Sequence, residues 1–85
     1  MAKIEVYTKA FCPYCTRAKA LLGSKGADFE EIDVTMDRVG FESMIERANG
    51  RRTVPQVFID GRHVGGSDDL AALDANGRLD ALIGA

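Results

Sequence analysis

Lys3-Ile4-Glu5-Val6-Tyr7-Thr8-Lys9-Ala10-Phe11-Cys12-Pro13-Tyr14-Cys15 changes its periodicity part-way, and that change decides the fold. Lys3 to Thr8 alternates, with Ile4 and Val6 on one face and Glu5 and Tyr7 on the other, and its β-branched content predicts a strand. Pro13 then stands where the first turn of a helix tolerates it, because its missing N–H has no partner there anyway. Ala18, Leu21 and Leu22 follow at helical spacing, and Gly23 or Gly26 can end the run. The spacing predicts a helix over Pro13 to Ser24, entered directly from a strand.

The rest of the chain extends this pattern. Phe29, Ile32 and Val34 mark a second strand, with the Glu30-Glu31 pair leaving its register open. Thr35 or Asp37 can cap a second helix with a buried stripe of Phe41, Met44, Ile45 and Ala48, closed by Asn49-Gly50. Val57-Phe58-Ile59 and Arg62-His63-Val64 are extended segments around Asp60-Gly61, a pair that suits a hairpin turn with positive φ at both central residues. After Gly65-Gly66, Ser67 is read as the N-cap of a third helix, with Asp68 and Asp69 in the first turn and Leu70 and Leu73 on its inner face. A short last helix around Leu79 to Ile83 is only weakly marked. The order β-α-β-α-β-β-α makes an α/β fold, a four-stranded mixed sheet flanked by helices: a parallel βαβ unit followed by an antiparallel hairpin.

Length and charge narrow the function. A chain of 85 residues is read as a single domain, residues 1–85. At this size it buries only about 60% of the surface its unfolded form exposes. Its two cysteines close too short a loop to staple the fold, which leaves them to be explained by chemistry. A net charge of −2, with acids and bases interspersed, argues against a nucleic-acid or membrane-surface protein. The first residues lack the apolar core of an export signal, so a reducing cytosol is the expected address. There a close cysteine pair is redox-active or metal-binding sooner than structural.

Cys12 lies at the junction of strand and helix, where unpaired N–H groups stabilise a thiolate. Cys15 falls one turn further on, on the same side and more shielded. One thiol is placed to attack and the other to resolve. Lys9 can add positive charge beside them. A zinc site needs about four ligands, and beyond the two thiols the chain offers one histidine, so no metal site is assigned. His63 is read as a solvated strand residue without a role.

Cys12-Pro13-Tyr14-Cys15 resembles the active-site motif of dithiol glutaredoxins of the small bacterial type, which have the thioredoxin fold. Thr53-Val54-Pro55 before the third strand and Gly65-Gly66-Ser67-Asp68-Asp69-Leu70 after the fourth match the same family in the same order. The resemblance spans Lys3 to about Leu82. It implies a cis Pro55 that turns the Val54 backbone toward the thiols, there to pair with the cysteine backbone of glutathione. It implies further that the helix starting at Ser67 receives the γ-glutamyl carboxylate, that Asp68 or Asp69 pairs with the ammonium, and that Lys9 and Tyr14 line the groove. Thr53 belongs to the same clamp, and Gly66 lets the ligand backbone come close. Arg51 and Arg52 either add positive field there or are solvated. Ser67 stands where some relatives carry a third cysteine, and Thr35 to Gly40 matches the family only loosely.

The expected activity is that of a glutathione-dependent thiol–disulfide oxidoreductase acting on protein–glutathione mixed disulfides and protein disulfides. Glutathione would be its co-substrate, with no tightly bound cofactor. Its partners would be glutathionylated or disulfide-containing proteins, and the chain would be a monomer. Two alternatives have the same fold. A glutathione-ligated [2Fe–2S] carrier usually has smaller residues in place of Pro13 or Tyr14. A thioredoxin-like protein reduced by a flavoenzyme would carry a Trp before the first cysteine, and the chain has none.

Overall fold

The computed structural model describes residues 2–84. The chain runs β1 (Ile4–Thr8), α1 (Pro13–Ser24), β2 (Glu30–Asp33), α2 (Arg38–Arg47), β3 (Gln56–Ile59), β4 (Arg62–Gly65), α3 (Ser67–Ala75) and α4 (Leu79–Ile83). The strands form one mixed sheet in the order β2-β1-β3-β4. β1 and β2 are parallel, and the other two pairings are antiparallel. The weakly marked last helix is therefore real: Leu79 and Ile83, one turn apart, are both buried in the core.

Strand alternation divides the core in two. Ile4 and Val6 of β1 and Val57 and Ile59 of β3 face one way and pack with Ala18 and Leu22 of α1, Leu70 of α3, and Leu79 and Ile83 of α4. Tyr7 and Phe58 face the other way, against Met44 and Ala48 and the partly buried Phe41 and Ile45. The predicted inner stripe of α2 thus packs on the second face of the sheet. Glu5 shares that face, and its carboxylate accepts from the Arg47 guanidinium at 3.0 and 3.3 Å. Arg47 also lies 4.1 Å from the centre of the Phe58 ring.

The register left open in β2 is settled by contacts outside the strand. Phe29, just before it, packs on the first core, while Ile32 and Val34 join the second. Glu31 then falls on the Phe29 side, accepting from the buried Thr8 hydroxyl at 2.8 Å and pairing with Lys19 at 3.0 Å. Asp37 caps α2, its carboxylate accepting from the Gly40 N–H at 2.9 Å. Thr35 does not; its hydroxyl accepts from the Ala10 N–H at 2.8 Å and so ties the loop before Cys12 to the end of β2. Asp60 and Gly61 have φ of 52° and 80°, the hairpin turn the sequence predicts.

One predicted cap moves. α3 is capped by Gly66, not Ser67, and Ser67 is the first helical residue. The reason is Asp69, whose carboxylate reaches back to accept from the Gly66 N–H at 2.9 Å and so draws the start of the helix one residue earlier.

Candidate active site

Cys12 is the N-cap of α1, in extended conformation with Pro13 as the first helical residue. Its Sγ accepts from the Cys15 N–H at 3.3 Å, the contact a serine or aspartate oxygen makes at other helix starts. As a thiol it donates to the Val54 carbonyl at 3.8 Å. Cys12 is partly exposed, whereas Cys15 is 2% exposed, and both are free. The predicted division between an accessible and a shielded thiol is thus present in the fold.

Burial pushes the Cys15 thiol up to about 11, and its hydrogen bond with Cys12 adds to the rise; the Lys9 backbone N–H and the Lys19 ammonium oppose it. Cys15 is therefore held as a protonated thiol at neutral pH. Iodoacetamide at neutral pH is expected to label Cys12 alone in the reduced protein. Labelling of Cys15 should rise only as the pH approaches about 11. Peptide mass spectrometry reads both sites, and equal labelling at neutral pH would overturn the assignment.

Three separate stretches meet beside Cys12. A groove of about 230 Å³ is lined by Tyr14, Arg51, Thr53, Val54, Pro55, Gly66, Ser67, Asp68 and Asp69. Eight of the nine residues predicted from the resemblance to contact glutathione stand in it together. The Val54–Pro55 bond is cis, as that resemblance implies. The ninth, Lys9, lines a separate hollow on which Cys12, Cys15 and Lys19 also border. Its ammonium lies 3.9 Å from the centre of the Phe41 ring.

The groove sorts the two acids. Asp69 is engaged by the Gly66 N–H at 2.9 Å and by the Arg51 guanidinium at 3.0 Å, and these two contacts, the Gly66 one with the larger effect, hold its carboxyl below the usual range. Among the described residues no ion pair joins Asp68, which is exposed at the same helix start. Arg51 therefore belongs to the groove wall, while Arg52 lies near Phe41, 5.8 Å from its ring centre.

Several features of this region escape a reading of the sequence. Gly65, not Gly66, has the backbone that only glycine adopts easily, with φ of 124°. His63 is not solvated: it is half-buried, its ring centre 5.1 Å from that of Phe58 and its Nε2 2.7 Å from Gln56 Oε1. Gln56 is wholly buried. The sequence marks each only as a polar residue within a mostly hydrophobic hairpin.

Known proteins resemble the chain throughout. The family model described as Glutaredoxin matches residues 4–64. Glutaredoxin 3 of Escherichia coli K12 is 58% identical over 83 residues, covering 98% of this chain and 99% of that protein. Among solved structures, the glutaredoxin of Brucella melitensis superposes with a TM-score of 0.86 at 52% identity, covering 98% of this chain and 89% of its own. The buckwheat glutaredoxin–glutathione complex superposes with a TM-score of 0.88 at 31% identity, over 98% and 77% of the two chains.

Proposed function

Because this chain belongs to the glutaredoxin family of glutathione-dependent thiol–disulfide oxidoreductases, we propose that Cys12 is its attacking thiol, Cys15 its resolving thiol, and the groove beside Tyr14 its glutathione site. The placement of Cys12 carries this reading: a partly exposed sulfur at a helix N-cap, hydrogen-bonded at 3.8 Å to the carbonyl of Val54, a residue of the groove wall.

Each part of that tripeptide has a counterpart. The free N–H groups at the start of α3, around Ser67 and Asp68, suit the γ-glutamyl carboxylate. The unpaired Asp68 suits the α-ammonium; Asp69, already held by Arg51 and Gly66, does not. Thr53-Val54-Pro55 offers main-chain groups to the central cysteine. Tyr14 closes the side, and Gly66 leaves the ligand backbone room. Lys9 would reach the glycyl carboxylate only by leaving the Phe41 ring. Phe11, fully exposed at 103%, and Tyr14 at 53% supply apolar surface around the thiol where a protein substrate lands.

The steps balance as thiolate exchanges. Cys12 thiolate attacks the glutathionyl sulfur of a mixed disulfide; the Cys12–glutathione disulfide forms and the protein thiolate leaves, taking a proton from solvent. A glutathione thiolate then attacks the glutathionyl sulfur, releasing glutathione disulfide and Cys12. With a protein disulfide, Cys12 becomes joined to the substrate, Cys15 loses its proton and attacks Cys12 Sγ, and the substrate leaves reduced. Glutathione then reduces the Cys12–Cys15 disulfide in two further exchanges.

The test is reduction of a glutathionylated peptide and of a protein disulfide, coupled to glutathione reductase and NADPH, in wild type and Cys15→Ser. Deglutathionylation should stay within about threefold of wild type, while protein-disulfide reduction falls at least about tenfold, since only the second route uses the resolving thiol. Equal loss of both activities would contradict the roles. Asp68→Asn, which keeps size and removes the charge, should raise KM for the glutathionylated peptide about threefold to tenfold and leave kcat near wild type. An unchanged KM would take Asp68 out of the site.

The [2Fe–2S] carrier is not favoured. Pro13 and Tyr14 both keep their bulk at the start of α1, where cluster-binding relatives are expected to have smaller residues. We place the protein in the reducing cytosol, as one glutaredoxin domain over residues 1–85, acting as a monomer on glutathionylated and disulfide-containing proteins. No helix among the described residues is long and apolar enough to cross a membrane.

A further inference from the structure

Gln56 opens the central strand β3 directly after Pro55, and its side chain is 0% exposed. Its Nε2 donates to the Thr53 carbonyl at 2.9 Å and lies 3.2 Å from Thr53 Oγ1. A carbonyl has no hydrogen to give, so only the amide NH₂ can face it, and the orientation of the Gln56 amide is settled. Gln56 Oε1 therefore points the other way, to His63 Nε2 at 2.7 Å, and must receive a hydrogen from it. Burial lowers the affinity of the His63 imidazole for a second proton, Arg51 adds to the effect and Asp69 opposes it. A neutral ring has one N–H, and this contact puts it on Nε2.

The relay thus runs from His63 on β4 through Gln56 on β3 to both oxygens of Thr53. Thr53 precedes Val54, whose carbonyl faces Cys12 Sγ. His63 is itself fixed by its packing on Phe58 and by the hairpin register, which pairs those two residues. The next pairing, Val57 with Gly65, skips Val64, and this bulge leads the chain into Gly66 on the opposite wall of the groove. His63 therefore stands on the β3–β4 hairpin, which joins the two walls.

We propose that His63, acting through Gln56, is a positioning residue that holds Thr53-Val54-Pro55 in the orientation that receives the glutathionyl group, and so sets the affinity of the groove. This rests on the reading that the groove takes glutathione. His63 touches neither substrate nor reacting sulfur; without its N–H, Gln56 Oε1 is a buried acceptor with no partner, and the amide turns or leaves to find one.

The test uses two variants of the full chain. His63→Phe keeps a ring against Phe58 and removes the donor; His63→Gln restores an N–H near the place of Nε2. In His63→Phe, KM for a glutathionylated peptide should rise about fivefold to tenfold, with kcat within about twofold of wild type. His63→Gln should return KM to within about twofold of wild type. Alkylation of Cys12 by iodoacetamide, which needs no groove, should proceed at the wild-type rate in both. The ¹⁵N spectrum of the wild type should show the proton of His63 on Nε2. An unchanged KM in His63→Phe, an equal fall in kcat and alkylation, failure of His63→Gln to restore KM, or a proton on Nδ1 would each overturn the proposal. If the wild type itself did not turn over the glutathionylated peptide, the reading of the groove would fail instead, and the two failures are thereby told apart.

Discussion

Replacing Cys12 with serine is expected to lower glutathione-dependent activity by at least about a thousandfold, because a hydroxyl is not ionised at neutral pH and attacks disulfides negligibly. The fold should not suffer. Serine is a preferred N-cap, and its Oγ can accept the same Cys15 N–H that Cys12 Sγ accepts. Its smaller size is tolerated at a partly exposed position. The loss should therefore come with a Tm within a few degrees of wild type, which separates chemistry from stability. Cys15 should not substitute, since it is buried and held protonated. The coupled assay with a glutathionylated peptide measures the effect; retention of more than about a tenth of the activity would show that another group attacks.

The largest stability effect away from the core is expected at Gly65. Its φ of 124° lies where a side chain is strained. An added Cβ would also run into the Asp69 carboxylate, the same group that accepts from Gly66 and pairs with Arg51. Gly65→Ala thus combines backbone strain of about 1–3 kcal/mol with the loss of a helix cap worth about 1 kcal/mol. For a domain of this size, a total near 3 kcal/mol lowers Tm by roughly 12–24 °C. Gly66→Ala is the control: its φ is −92°, and an added Cβ would come no closer than 3.4 Å to any atom, the Pro55 carbonyl oxygen. It should melt near wild type. Equal melting of the two variants in a thermal scan would show that neither strain nor the Asp69 contact matters.

Elements whose causes are local could be read from the sequence. Pro13 begins α1 because proline suits that one position, and Ser24 ends it next to the Gly26 backbone of positive φ. Asp60-Gly61 makes its turn because those two residues tolerate it. Ile4, Val6 and Tyr7 divide between the two cores because strand side chains alternate. Ser67 was misread as a cap because Asp69, two residues downstream, bonds the Gly66 N–H and moves the cap to Gly66. His63 was misread as solvated because its partners Gln56 and Phe58 lie across the hairpin.

The sequence by itself determined the order of elements, the position of Cys12 at the start of a helix and the family to which the chain belongs. Each depends on residues within a turn or two of one another, or on motifs carried intact along the chain. Tertiary structure alone decided which acid of the groove pairs with Arg51 and which stays exposed without an ion pair among the described residues. It alone put Lys9 over Phe41 and Gly65 in its strained backbone, and set His63 against Gln56 and Phe58. Those outcomes depend on burial and on charges brought together from residues as far apart as Arg51 and Asp69, and the desolvation that selects one partner over another does not exist until the sheet and helices have packed.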